Sequence, residues 1–243
     1  ASLKSGSGGD EEGDEAEAEE SEEWLSEEEI AESTNRALTY YADDLCVVDW
    51  DAALLVDDPA ELRADIEANL RTLGVERLTA VNLRLWDGEE VGDRFDRQLA
   101  VMIAARDDGL IDGIGLSNIE PAHLLHALER TDIACVQNPY NLVDRSSQAV
   151  LDECRDRGIA FVPFFPLGSG FAQDNPVLGN PVVQRAAGEL GRTPAQIALA
   201  WTLGVAPNVL LIPGTSSVGH LEENLAVADI DLGEALRAEL DAI

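Results

Sequence analysis

Residues 111–118 read Ile111-Asp112-Gly113-Ile114-Gly115-Leu116-Ser117-Asn118: an apolar run carrying two glycines, closed by a polar pair. A doubly wound nucleotide-binding fold needs a third glycine three positions after the second, where the helix that receives the pyrophosphate begins. Asn118 stands there instead, so the fingerprint is absent. Polar residues at the end of a buried strand fit a closed barrel, which gathers its functional side chains at the C-terminal ends of many strands.

The same arrangement repeats on either side. Short apolar runs at Leu45–Val48, Leu78–Leu85, Ile111–Leu116, Ile133–Val136, Ile159–Phe164 and Val209–Ile212 predict six strands buried on both faces. Polar residues follow them: Asp49 and Trp50, Arg84, Ser117 and Asn118, Gln137 and Asn138, Gly168 and Ser169, Gly214 to Ser217. Between the runs lie segments of helical period. Pro59–Leu73 puts Leu62, Ile66, Leu70 and Leu73 on one face, and Pro121–Leu128 starts with a proline. Further helices are expected near 92–107, 145–157, 180–190, 194–204, 217–227 and 233–242, the fourth entered by a Thr193 cap with Pro194 at its first position. Strict alternation implies right-handed crossovers and a parallel sheet in one α/β domain.

Charge excludes whole classes of partner. The 243 residues carry 48 acids against 16 bases, a formal net charge of -32, and lysine occurs once, at Lys4. A binder that neutralises phosphates is excluded, as is attraction to an anionic membrane. Residues 1–30 hold 13 acids and one base, which predicts an acidic disordered tail over 1–25 ahead of a barrel domain over 26–243. The remaining 213 residues are acidic as well, with 35 acids and 15 bases, as suits a protein working where molar salt screens self-repulsion at a Debye length of ~3 Å. A halophilic cytoplasm is the expectation. Cys46, Cys135 and Cys154 sit in or beside apolar runs without zinc spacing and read as buried thiols of a reducing compartment. No stretch is long and apolar enough to span a bilayer, so a soluble protein is expected.

Five stretches, in order, resemble the aldo-keto reductases, NAD(P)-dependent (β/α)8 barrels. They are Gly113 to Asn118; Val136-Gln137-Asn138-Pro139-Tyr140-Asn141; Phe164 to Gly170; Thr193 to Gln196 with Leu199-Ala200-Trp201; and Ile212 to Ser216 with Glu222-Glu223-Asn224. The resemblance implies that Ser117, Asn118 and Gln137 hydrogen-bond a nicotinamide carboxamide, that Phe164 stacks on its ring, and that Leu167 and Ser169 lie along the pyrophosphate. It places Pro213, Gly214, Thr215 and Ser216 at a phosphate, before a helix whose N-terminal amides suit an anion. His220 stands where a base would meet the 2′-phosphate, and Glu223 and Asn224 take adenine-contacting positions. Only an imidazole remains where lysine and arginine often sit, a departure that weakens the hold on a 2′-phosphate and keeps NAD open as the alternative, while NADP is still the expectation.

The family's catalytic tyrosine, aspartate, lysine and histidine are not matched. Aligning Tyr41 to Leu45 with the third barrel strand puts Trp50 at the lysine, and Arg84 ends the strand that carries the histidine. Nothing before residue 40 reads as the first two βα units. The barrel is therefore expected to be incomplete, with sheet edges at 45–48 and 209–212 open to self-association, and no residue is assigned a catalytic role. Three readings follow: a reductase of small carbonyl substrates with its proton donor elsewhere, a non-catalytic nucleotide-binding or sensing subunit, and a truncated remnant. Tyr40 and Tyr41 read as packing residues, His123 and His126 as too few to form a metal site, and Glu89-Glu90 as a solvated helix face.

Overall fold

A computed structural model describes residues 58–86, 88–168 and 175–243. The tail, the run 45–48, Trp50, the residues Lys4, Tyr40, Tyr41 and Cys46, and Ser169 lie outside the described residues, as do the domain boundary at 25/26 and the place of the first two units.

The chain enters through helix α1, Pro59–Leu73. Asp58 accepts a hydrogen bond from the Ala60 amide at 2.8 Å, Pro59 occupies the first turn, and Gly74 ends the helix in the left-handed region at φ 67°. Its buried stripe is Ile66, Leu70 and Leu73. Then follow β1 (Leu78–Arg84), α2 (Asp93–Asp107), β2 (Ile111–Ser117), α3 (Pro121–Leu128), β3 (Cys135–Pro139), α4 (Gln148–Arg157) and β4 (Ala160–Phe164). Four parallel strands lie side by side in chain order, β1-β2-β3-β4. A doubly wound sheet reverses its order at a switch point; this one does not, and it has the sequence of a barrel wall.

Register and the two-residue strand period sort the side chains. Ala80, Cys135 and Val162 form one apolar cluster with Ala160 and Ile212, on the inner face. Leu83, Ile114, Leu116, Val136 and Phe161, of opposite parity, pack into the larger core with helix residues such as Phe95, Leu99 and Leu151. The inner face is stacked in layers: Asn82, Gly115, Cys135 and Ala160 pair across the strands, and Arg84, Ser117, Gln137 and Val162 pair one layer nearer the C-terminal end. Phe164 stands one layer beyond, paired with Pro139.

Two expectations need correction. The run 209–212 is not a full strand: it makes a single bridge, Phe161 to Val209, held by Phe161 N to Asn208 O at 2.8 Å and Leu210 N to Phe161 O at 2.9 Å. The next residue of β4 facing that side is Pro163, which has no N–H to give, so the ladder stops. The third described strand starts two residues later than its apolar run, because pairing begins at Gly115 with Cys135 and extends through Asn138 and Pro139 onto β4.

The C-terminal part wraps the sheet with α5 (Pro181–Leu190), α6 (Pro194–Leu203), α7 (Val218–Leu225), a 3-10 turn (Ala226–Asp229) and α8 (Gly233–Asp241). Helix α6 starts in a capping box, Thr193 with Gln196, and buries every residue from Gln196 to Thr202, as a nearly all-apolar helix must. Trp201 anchors the end of the chain. Its indole N–H donates to Asp241 at 2.8 Å, Tyr140 stacks on one side with ring centres 6.0 Å apart, and the Arg145 guanidinium lies 4.7 Å from its ring centre. Arg145 also donates to the carbonyls of Leu240 and Asp241.

Candidate nucleotide site at the strand ends

The upper inner layer is polar where a barrel interior is ordinarily filled by branched apolar side chains. Ser117 and Gln137 are buried, and Arg84 and Asn82 half-buried, on adjoining strands. The layers are bonded to each other. Asn82 Nδ2 donates to Gln137 Oε1 at 3.1 Å, and the Cys135 thiol donates to Asn82 Oδ1 at 3.4 Å. Arg84 Nη1 donates to Ser117 Oγ at 3.2 Å, and its guanidinium carbon lies 5.1 Å from the centre of the Phe164 ring.

Gly115 makes this network possible. A Cβ there would stand 1.9 Å from Asn82 Oδ1 and 2.8 Å from Cys135 Sγ. The missing side chain lets the Asn82 amide cross β2 to reach Gln137. With Gln137 Oε1 taken, its Nε2 is the end left to donate to a carbonyl oxygen.

The backbone is constrained at the same level. Asn118 (φ 58°) and Phe165 (φ 54°) are the non-glycine residues with positive φ among the described residues, and each immediately follows a strand. Such conformations cost of order 1–3 kcal/mol and cluster at functional sites. Asn118 is held by its amide N–H to Gln137 O at 3.0 Å and by its Nδ2 to Leu85 O at 3.0 Å. Its side-chain donor is therefore engaged within the fold. Phe165 O accepts from Asn141 Nδ2 at 3.0 Å.

Pro213 to Ser217 form a second group, ahead of α7. Ser217 caps the helix by accepting the His220 amide at 3.4 Å, and Thr215 Oγ1 accepts from the Ser217 amide at 3.1 Å. Gly214, Thr215, Ser216 and His220 are exposed, and Asn224 Nδ2 ties the helix to the loop through Pro213 O at 3.3 Å. The Glu223 carbonyl accepts from Gln196, which fixes α7 on α6. Leu167 packs against the core while its carbonyl receives Asn175 Nδ2 at 2.8 Å.

The structure thus brings Ser117, Gln137 and Phe164 to one end of the inner face and Pro213 to Asn224 into a separate loop and helix. Asn82 and Gly115 carry no role in the sequence pattern alone, where Arg84 stands as a polar strand end at the histidine's place. Their signal was the parity: Asn82 and Arg84 alternate with Val81 and Leu83, so both polar side chains had to share the inner face. The two histidines of α3 have separate tasks. His123 Nδ1 accepts the Glu120 amide in a capping box, and His126 Nε2 meets Asp96 at 2.6 Å. Among the described residues no group of three metal-ligating side chains gathers. Glu89 lies in the loop after β1 rather than on a helix; its side chain is only 10% exposed, and Arg94 and the Trp86 amide both donate to one of its oxygens. No described helix is long and apolar enough to cross a membrane.

Comparisons with known proteins show the family and the fold. Residues 56–243 match the model of the "Aldo/keto reductase family", and residues 17–61 match that of "Uncharacterized protein MJ0711, N-terminal domain". The chain is 42% identical over 218 residues to the pyridoxine 4-dehydrogenase of Escherichia coli, covering 85% of this chain and 74% of that protein. Over 187 residues it is 36% identical to the uncharacterized oxidoreductase C215.11c of Schizosaccharomyces pombe, covering 75% of this chain and 58% of that one. Among solved structures, the thermostable aldo-keto reductase Tm1743, in complex with the inhibitor epalrestat, superposes with a TM-score of 0.72 at 27% identity, covering 87% of this chain and 76% of its own. An aldo/keto reductase from Klebsiella pneumoniae, in complex with NADP and acetate, gives 0.71 at 25% identity, with 88% and 75% covered.

Proposed function

The chain belongs to the aldo/keto reductase family of oxidoreductases, with an α/β fold matching its (β/α)8 barrel structures, and from that premise we propose that it binds NADP(H), or NAD(H) as the alternative, at the ends of β2, β3 and β4. The observation that carries the reading is the bonded inner layer of Arg84, Ser117 and Gln137 beneath Phe164, on strand ends that the fold reserves for ligands. Bound NADPH would supply a hydride from its nicotinamide.

In this reading Gln137 donates through Nε2 to the carboxamide oxygen while Asn82 holds its other end, and Ser117 and Asn118 complete the amide's partners. Phe164 gives a ring face for stacking. Leu167 and Ser169 line the pyrophosphate. The loop Pro213, Gly214, Thr215 and Ser216 receives a phosphate, with the exposed His220 beside it and Glu223 and Asn224 at the adenine.

Hydride transfer to a small carbonyl is proposed to be impaired. A positioned general acid contributes ~10²–10⁴-fold to such a step, and neither the family's proton-donating tyrosine nor the lysine beside it, whose place falls to Trp50, is matched in the sequence. Pyridoxal is the first carbonyl to try, since the Escherichia coli relative is a pyridoxine 4-dehydrogenase. The test is oxidation of NADPH by pyridoxal and by simple aldehydes in molar KCl, compared with a variant in which Ser117→Ala and Gln137→Leu are combined. The two proteins are expected to be alike in turnover while the native chain binds NADPH markedly more tightly than the variant. Robust turnover by the native protein would overturn the impairment.

A further inference from the structure

Arg84 touches two of the residues assigned to the nicotinamide, Ser117 by a hydrogen bond of 3.2 Å and Phe164 through the face of its ring at 5.1 Å. Ser117 and Phe164 are buried and Arg84 is half-buried, so solvent screens this corner weakly. A guanidinium is charged at every accessible pH. The two redox forms of the cofactor differ at this point: the oxidised nicotinamide is a pyridinium cation, and the reduced dihydropyridine is neutral.

We propose that Arg84 is a specificity-determining residue that biases the nicotinamide site toward the reduced cofactor by setting a fixed positive charge beside the ring. The inference rests on the dinucleotide reading above and deepens it. The adenosine half, with its phosphates, is the same in NADPH and NADP+, so it cancels when the two affinities are compared. Even with the pyridinium on the face of Phe164 opposite Arg84, the two charges would be roughly 9 Å apart. At an effective dielectric of about 20 that repulsion corresponds to on the order of tenfold to twentyfold in affinity, and more if the ring lies on the nearer side. Any acidic neighbour of Arg84 would lower the absolute preference, but the share that Arg84 contributes keeps its sign.

Dissociation constants for NADPH and for NADP+ would be measured by calorimetric titration in molar KCl, on the native protein and on Arg84→Met and Arg84→Lys. The native chain is expected to hold NADPH tighter than NADP+ by a factor in which Arg84 supplies about tenfold. Arg84→Met should bring the ratio down by about tenfold, chiefly by tightening NADP+, and Arg84→Lys should retain most of the preference. A ratio that Arg84→Met leaves unchanged or raises overturns the proposal, with the dinucleotide site intact; should that variant not fold, Arg84→Gln is read in its place. Absence of binding of both forms would remove the dinucleotide reading and this proposal with it.

Discussion

Replacing Gly115 by alanine tests the interior network through a clash of known size. The new methyl would sit 1.9 Å from Asn82 Oδ1, 3.0 Å from Asn82 Cγ and 2.8 Å from Cys135 Sγ. Asn82 must turn away, and doing so breaks its 3.1 Å bond to Gln137. Overpacking of a tight interior costs about 1–3 kcal/mol, and a lost hydrogen bond adds about 0.5–1.5 kcal/mol. A total of about 2–4 kcal/mol is a large part of the ~5–15 kcal/mol by which domains are stable. With a urea dependence of ~1–3 kcal/mol per molar, the unfolding midpoint should fall by about 1–2 M. Urea unfolding followed by tryptophan fluorescence in molar KCl reads that shift. Asn82→Ala removes the principal obstacle, so the double variant should lose clearly less stability than the two single losses added together. An unchanged midpoint for Gly115→Ala, or strictly additive losses, would refute the account of why that glycine is there.

Three further outcomes follow from other parts of the structure. The Asp96 carboxyl is held below its ordinary 3.8 first by the hydrogen bond from His126, against a smaller desolvation penalty, and also by Arg130. A depressed acid stabilises the fold above its unfolded pKa and loses that contribution as pH falls through the folded value, so Asp96→Asn should lower stability modestly at neutral pH, with the difference from the native protein closing below about pH 4. Burial pushes the Cys154 thiol up to about 12, so a maleimide at pH 8 should leave it unmodified in the native protein and label it in denaturant, as peptide mass mapping would register. Trp201→Ala removes the ring that Tyr140, Arg145 and Asp241 share and should cost about 3–5 kcal/mol in urea unfolding.

Much of the architecture was legible in the sequence because punctuation and period agreed. Pro59, Pro121 and Thr193-Pro194 open their helices where expected, and Leu78–Arg84 and Ile111–Ser117 are strands in the structure. What the apolar pattern could not carry was pairing: Val209–Ile212 reads as a strand, but Pro163 on its neighbour withholds the donor that would extend the ladder. Ser117, Gln137 and Phe164 were found through family likeness at the strand ends. The cross-strand bonds of Asn82 and Arg84 were not, since they depend on register, and a side chain missing at Gly115 shows its purpose only when Asn82 fills the gap.

The most direct test of the central claim is binding of NADPH itself by the native protein, titrated calorimetrically in molar KCl beside Gln137→Leu. The account predicts saturable binding by the native chain and a loss of about tenfold in affinity when the amide of Gln137 is removed, the worth of one hydrogen bond to a group left buried. Native protein that does not bind NADPH, or a Gln137→Leu variant that binds it as tightly, would contradict it.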